Sequence, residues 1–109
     1  MHEYRAEIVR VVDGDTIDAR LDLGFYMSAE LRLRLAGIDA PETRGPEREA
    51  GKAATAALVA KLAEDPGPCI VRTSKTGKYG RWLADIFSPS GLHLNNWLIE
   101  AGHANPARY

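Results

Sequence analysis

Residues 16–23 read TIDARLDL and residues 30–35 read ELRLRL, two stretches in which apolar and polar residues alternate. The apolar members are Ile17, Ala19, Leu21 and Leu23 in the first stretch and Leu31, Leu33 and Leu35 in the second. A period of two predicts β-strands with one buried face and one polar face. Arg32 and Arg34 are therefore expected together on the polar face of the second strand.

The segment before residue 16 predicts a third strand, which forms a meander with the other two. Residues 4–12 read YRAEIVRVV and are rich in β-branched types. Asp13-Gly14-Asp15 follows this segment directly. We expect Gly14 to take the positive φ that a tight hairpin turn requires.

The rest of the chain predicts a helix, two strands and a second short helix. Residues 37–43, GIDAPET, form a loop, because proline cannot donate to a sheet ladder. Apolar residues at helical spacing predict an amphipathic helix from about residue 47 to residue 64. Strands are expected at 69–73 and 82–87, and a helix at about 96–101 with Asn95 as its N-cap and Gly102 at its C-terminal end.

This order of elements is compatible with a mainly β fold, a small five-stranded barrel with a helix across one end. Trp82 and Trp97 are expected in the core, because a tryptophan in a strand or an amphipathic helix usually packs there. Cys69, at the start of a strand, is expected to be a small buried residue.

Composition limits the classes to which the chain can belong. Its 109 residues, 45% hydrophobic and 27% charged, suit one globular domain over residues 1–109. The net charge of −1 argues against a protein that coats nucleic acid through bulk positive charge. No segment has the length of a membrane span, and no signal peptide is visible. A single cysteine is compatible with a reducing, cytoplasmic compartment, which the sequence leaves open.

Four charged residues, Asp15, Arg34, Asp39 and Glu42, fall at strand ends or in loops beside them, and Arg81 lies in a basic loop. Taken singly, each is an ordinary turn or surface residue. Together they form the set that phosphodiester cleavage requires. Carboxylates bind a hard cation, glutamate can accept the proton of a water, and guanidinium groups match phosphate oxygens.

At these residues the chain resembles the staphylococcal nuclease, or thermonuclease, family. The resemblance rests on VDGDT at 12–16, LRLAGIDAPET at 33–43 and KYGR at 78–81, with a weaker match at 94–102. It implies an OB-fold barrel and calcium-dependent, sugar-nonspecific cleavage of DNA and RNA to 3′-phosphate products. Nucleic acid would be the partner, with no membrane and no obligate protein partner.

The same resemblance assigns roles to individual residues. Asp15 and Asp39 would be calcium ligands, together with the backbone carbonyl of Ala40. Glu42 would be the general base, and Arg34 and Arg81 would clamp the scissile phosphate. Lys78 and Tyr79 would contact a terminal phosphate of the nucleotide, and Thr16 would support the metal site.

Three departures from the family pattern accompany these matches. Ala40 stands where better-known members carry threonine, the segment 44–50 is shorter than a lysine-rich loop of larger relatives, and the sequence ends at Tyr109 without their stacking aromatics.

Two rival hypotheses are a non-catalytic OB-fold module that binds nucleic acid or protein, and a calcium-binding structural domain. The second gives no role to Arg34 and Arg81.

Overall fold

The computed structural model describes residues 2–76 and 82–107, and at residues 75 and 76 it describes the backbone alone. Two helices accompany the strands. The strands are β1 (His2–Asp13), β2 (Thr16–Gly24), β3 (Met27–Leu35), β4 (Ile38–Asp39), β5 (Cys69–Thr76), β6 (Trp82–Phe87) and β7 (Asn105–Pro106), and the helices are α1 (Arg48–Glu64) and α2 (Leu94–Glu100). A 3-10 turn, Gly45–Glu47, leads into α1.

Five strands close into a barrel in the order β1-β2-β3-β6-β5. Antiparallel pairing of β5 with β1 closes the ring, and β3 and β6 are the parallel neighbours. A separate two-stranded sheet pairs β4 with β7 beside the barrel. The predicted fold class, a mainly β chain with a five-stranded OB-fold barrel, is therefore confirmed.

The barrel interior is filled by the residues that the alternation predicted. Ile17, Ala19 and Leu21 of β2 and Leu33 and Leu35 of β3 are buried. The predicted helix α1 packs on the barrel through Gly51, Ala54 and Leu58, which are buried along one side. Cys69 is buried as expected, and this burial raises the pKa of its thiol.

Gly14 does not take the positive φ predicted for it. A Cβ at this position would lie 2.9 Å from the Cβ of Ala54 and 3.0 Å from that of Ala40. Glycine is required here because the turn between β1 and β2 approaches α1 and the loop after β4 too closely for a side chain. This contact holds together three segments that are distant in sequence.

Two further expectations are wrong. Trp82 is 42% exposed rather than buried in the core, because it is the first residue of β6 and lies at the rim of the barrel. Asn95 does not cap α2, because the helix begins at Leu94, two residues before the predicted start, with His93 as its N-cap. Its buried side chain instead donates to the carbonyls of Ala36 and Ala84 and accepts from the N–H of Ile86. Its amide thus satisfies main-chain groups beside the β3–β6 pair.

The turn between β2 and β3 has an unusual backbone. Phe25 and Tyr26 connect the paired residues Gly24 and Met27, and both have positive φ, 53° and 62°. Their side chains are fully exposed. Gly24, directly before them, also has a positive φ, 80°. Positive φ at both central residues of a two-residue turn is the pattern of a type I′ hairpin, in which glycine and asparagine are the usual residues.

Among the described residues, neither helix has the length and apolar character that crossing a membrane requires.

Candidate active site

The candidate site lies where three chain segments meet at one end of the barrel. The turn between β1 and β2 supplies Asp15, the end of β3 supplies Arg34, and β4 supplies Asp39. The N–H of Leu35 donates to the carbonyl of Asp15 at 2.8 Å, which joins the turn to β3. Three of the residues predicted from sequence are thereby brought together by strand pairing.

Asp15 and Arg34 form a buried ion pair. The Nη1 of Arg34 lies 2.6 Å from Oδ2 of Asp15, and the two residues are only 8% and 7% exposed. Asp15 Oδ2 also accepts from the N–H of Ala40 at 2.8 Å, and its Oδ1 accepts from the hydroxyl of Thr16 at 3.0 Å. The carboxylate is therefore fixed in orientation by neighbours on both oxygens.

Arg34 bridges Asp15 to Asp39. Its Nη2 lies 3.2 Å from Oδ1 of Asp39, whose side chain is 58% exposed. A single cation, the guanidinium, thus holds two carboxylates that come from different segments. These three side chains carry a net charge of −1, which repels a phosphodiester anion unless a further positive charge is present.

The donor set fits a hard divalent cation. Asp15 and Asp39 offer carboxylate oxygens. The hydrogen bond from the N–H of Ala40 to Asp15 holds the Ala40 backbone beside them. Oxygen donors are those that calcium and magnesium prefer. Within the described ranges 2–76 and 82–107, no three acidic, histidine or cysteine side chains converge on a metal position. A cation here would depend on few protein carboxylates.

Glu42 lies on the loop that follows Ala40, and its side chain is exposed. The backbone around it is held from two sides. Thr43 donates its hydroxyl to Oδ1 of Asp13 at 2.9 Å, and Gly51 of α1 lies so close to the Glu42 carbonyl that a Cβ there would overlap it. The carboxylate is therefore presented to solvent from a loop that is fixed in place.

Sequence reasoning missed the residues that hold this loop. Asp13 was interpreted only as part of a hairpin turn, and Thr43 and Gly51 received no role. A glycine inside a helical pattern is the one signal that pointed to a close contact, because glycine costs about 1 kcal/mol relative to alanine in a helix.

The predicted phosphate contacts Lys78, Tyr79 and Arg81 lie outside the described residues. The roles assigned to Asp15, Arg34, Asp39, Ala40 and Glu42 stay predictions. What the structure adds is that the first four are in direct contact and that the fifth follows them on an adjoining loop.

Comparison with known protein families identifies the family of this chain. The model for the family described as staphylococcal nuclease homologue matches residues 32–109. The chain belongs to the staphylococcal nuclease family. The matched range contains Arg34, Asp39 and Glu42.

The chain is also similar to individual proteins, two of which are named endonucleases. The chain is 31% identical over 103 residues to an uncharacterized endonuclease of Escherichia coli O157:H7, covering 94% of this chain and 60% of that protein. It is 36% identical over 115 residues to Protein ParB of Escherichia coli, covering 98% of this chain and 59% of the relative. Endonuclease YhcR of Bacillus subtilis is 33% identical over 113 residues, with 94% of this chain and 9% of that protein covered. The chain thus spans at most about three-fifths of the length of these relatives.

Proposed function

We propose that this protein is a calcium-dependent endonuclease that hydrolyses phosphodiester bonds of DNA and RNA, without sugar specificity, to products ending in 3′-phosphate. The observation that carries the proposal is the buried guanidinium of Arg34, held between Asp15 and Asp39 at the barrel rim. The family and the relatives named endonuclease support it. The proposed unit is a single domain over residues 1–109, with nucleic acid as its partner and no membrane or obligate protein partner.

Asp15, Asp39 and the carbonyl of Ala40 would hold the calcium ion. When bound, calcium supplies positive charge that neutralises a phosphate oxygen and a flexible coordination sphere that can orient water. Thr16 would act indirectly, because its hydroxyl fixes Oδ1 of Asp15.

Arg34 would bind and orient the scissile phosphate. A guanidinium offers two parallel N–H donors that match two phosphate oxygens, and it stabilises the negative charge that grows in the transition state. Burial of Arg34 between two carboxylates fixes its plane before substrate arrives. Arg81 would contribute a second guanidinium, and Lys78 and Tyr79 would contact a terminal phosphate.

Glu42 would accept the proton of the attacking water. Its carboxylate is exposed and its backbone is fixed by Thr43 and Gly51, a placement that suits a group required to meet solvent water at a defined position. The oxygen of the water would form a bond to phosphorus while the bond between phosphorus and the 5′-oxygen breaks. The 5′-oxygen takes a proton from solvent, and the phosphate stays on the 3′ side.

The test is incubation of single-stranded DNA, and separately RNA, with purified protein in calcium and in excess chelator. We expect fragments ending in 3′-phosphate from both polymers in calcium and none in chelator. Binding of oligonucleotide without cleavage in saturating calcium would replace the proposal by the non-catalytic binding module.

A further inference from the structure

The outward faces of β1, β2 and β3 carry charged side chains in two rows that cross the strands. Counted along β3 away from Arg34, the first row is Arg10–Asp18–Arg32 and the second is Glu7–Arg20–Glu30, as the pairing registers show. The first row has two cations around one carboxylate, and the second has two carboxylates around one cation. The net charge therefore changes from positive to negative within one step away from the site.

Arg32 lies on the same face as Arg34 and two residues before it. Alternate residues on a strand are roughly 7 Å apart, a distance comparable to the separation of consecutive phosphates along a nucleic-acid strand. The side chain of Arg34 is 9% exposed, whereas that of Arg32 is 58% exposed. Among the residues that the structure describes, Arg32 is thus an accessible cation next to the proposed scissile-phosphate position.

Asp18 fixes the orientation of Arg32. Nε of Arg32 donates to Oδ1 of Asp18 at 2.8 Å, and Nη2 donates to Oδ2 at 3.2 Å. The hydrogen bond from Arg32 is the main cause that holds the pKa of Asp18 below its ordinary value, so the pair is fully ionised at neutral pH. This arrangement uses the Nε–Nη2 edge of the guanidinium and leaves the Nη1–Nη2 edge, with two parallel N–H donors, for another anion.

We propose that Arg32, oriented by Asp18, binds the phosphate adjacent to the scissile one. The inference rests on the proposed nuclease function. It makes Arg32 a substrate-binding residue, and it predicts that the contact ends there, because the next row, around Arg20, is acidic.

Binding of a fluorescently labelled oligothymidylate by the Glu42→Gln protein in saturating calcium tests the proposal. Arg32→Gln is compared with Arg20→Gln, a matched control that also removes one exposed, ion-paired arginine from the same face. We expect Arg32→Gln to weaken binding several-fold and to lower the slope of log affinity against log salt by about 0.7, the value for one phosphate contact on a single strand. Arg20→Gln should change neither, and Arg32→Lys should keep the slope.

Cleavage of thymidine dinucleotide, which has one phosphodiester, supplies the second readout in the protein with Glu42 intact. We expect Arg32→Gln to leave its kcat/KM unchanged while lowering kcat/KM for the oligonucleotide. Equal effects of Arg32→Gln and Arg20→Gln on binding by the Glu42→Gln protein, while the protein that keeps Glu42 cleaves DNA, would overturn this inference and leave the nuclease function standing. A wild type that neither binds nor cleaves would overturn both.

Discussion

Gly51 of α1 lies directly against the backbone of Glu42, the carboxylate proposed as general base. A Cβ at residue 51 would overlap the carbonyl oxygen and carbon of Glu42 and would lie 2.7 Å from the N of Thr43. The partner is backbone rather than a flexible side chain, so neither side can yield without moving the loop. The position of the Glu42 loop is therefore coupled to a helix whose own role is to cover the barrel.

Gly51→Ala tests this coupling. Alanine favours the helix by about 1 kcal/mol, but the overlap should cost more, since overpacking typically destabilises by about 1–3 kcal/mol. We expect a lower free energy of unfolding in urea and a fall in cleavage rate of about 10-fold to 10²-fold, because small displacements of a catalytic group have effects of that size. Lys52→Ala, on the exposed side of the helix, is the control. Equal activity of the two variants would show that the contact does not position Glu42.

Arg34→Lys should abolish most turnover although the charge is kept. Lysine cannot join Asp15 and Asp39 through a planar fork, nor can it offer two parallel donors to one phosphate. We expect kcat to fall by about 10²-fold or more, as when a transition-state hydrogen-bond donor is lost. Arg81→Lys is expected to behave alike. Arg20→Lys on the same barrel face is the control, and near-native turnover of Arg34→Lys would remove Arg34 from the mechanism.

Removal of calcium should stop cleavage, and magnesium should support little of it. The proposed site has two carboxylates among the described residues, those of Asp15 and Asp39, so it would depend on a flexible coordination sphere that magnesium resists. The same shortage predicts weak binding, with a dissociation constant of about 10⁻⁴ to 10⁻³ M in calorimetric titration. A submicromolar constant, or equal rates in the two metals after chelation, would contradict this prediction.

Most strands of the barrel could be predicted, because short-range sequence patterns determine where a strand lies and which of its faces is buried. The alternation in residues 16–23 and 30–35 fixes which side of each strand is buried, and the buried residues Ile17, Leu21, Leu33 and Leu35 agree with it. Proline and glycine around the loops mark the ends of strands and helices. Short-range patterns of this kind require no knowledge of which strands become neighbours.

The parts that sequence reasoning missed depend on contacts between distant segments. Gly14 was interpreted as a turn residue, whereas its requirement comes from Ala54 and Ala40. Asn95 has the composition of an N-cap, yet it bonds to backbone of β6 and of the segment after β3. Closeness of Asp15, Arg34 and Asp39 was expected from resemblance, but the guanidinium bridge between the two carboxylates follows only from the strand register.

The backbone of the Phe25–Tyr26 turn is strained, and we expect substitution of these two residues to relieve the strain. Both residues have a left-handed backbone, and their rings are fully exposed, so no packing of the rings offsets the strain. Such conformations cost on the order of 1–3 kcal/mol in non-glycine residues. Phe25→Asn with Tyr26→Gly should raise the free energy of unfolding by about 1 kcal/mol, after the entropic cost of glycine. The turn lies at the end of β2 and β3 opposite Asp15 and Arg34, so kcat should not change. A destabilised double variant would indicate that the rings contribute to stability.

Glu42→Gln should remove the chemical step and leave binding intact. Glutamine has nearly the same shape but cannot take a proton, so we expect the cleavage rate to fall by roughly 10² to 10⁴, the range for a lost general base. Glu42 is exposed and outside the Arg34 bridge, so its substitution should preserve the fold and the affinities for calcium and oligonucleotide.

Asp39→Asn is the matched variant that separates calcium binding, the role proposed for Asp39, from proton acceptance, the role proposed for Glu42. Asp15→Asn is less suitable, because it leaves Arg34 without its buried partner, a change that can cost about 3–5 kcal/mol of stability. Asp39 is largely exposed, so its substitution should weaken calcium binding in a titration while the protein stays folded. Raising calcium should therefore restore part of the activity of Asp39→Asn and none of that of Glu42→Gln. If Glu42→Gln cleaves as fast as the wild type, a group other than Glu42 activates the water.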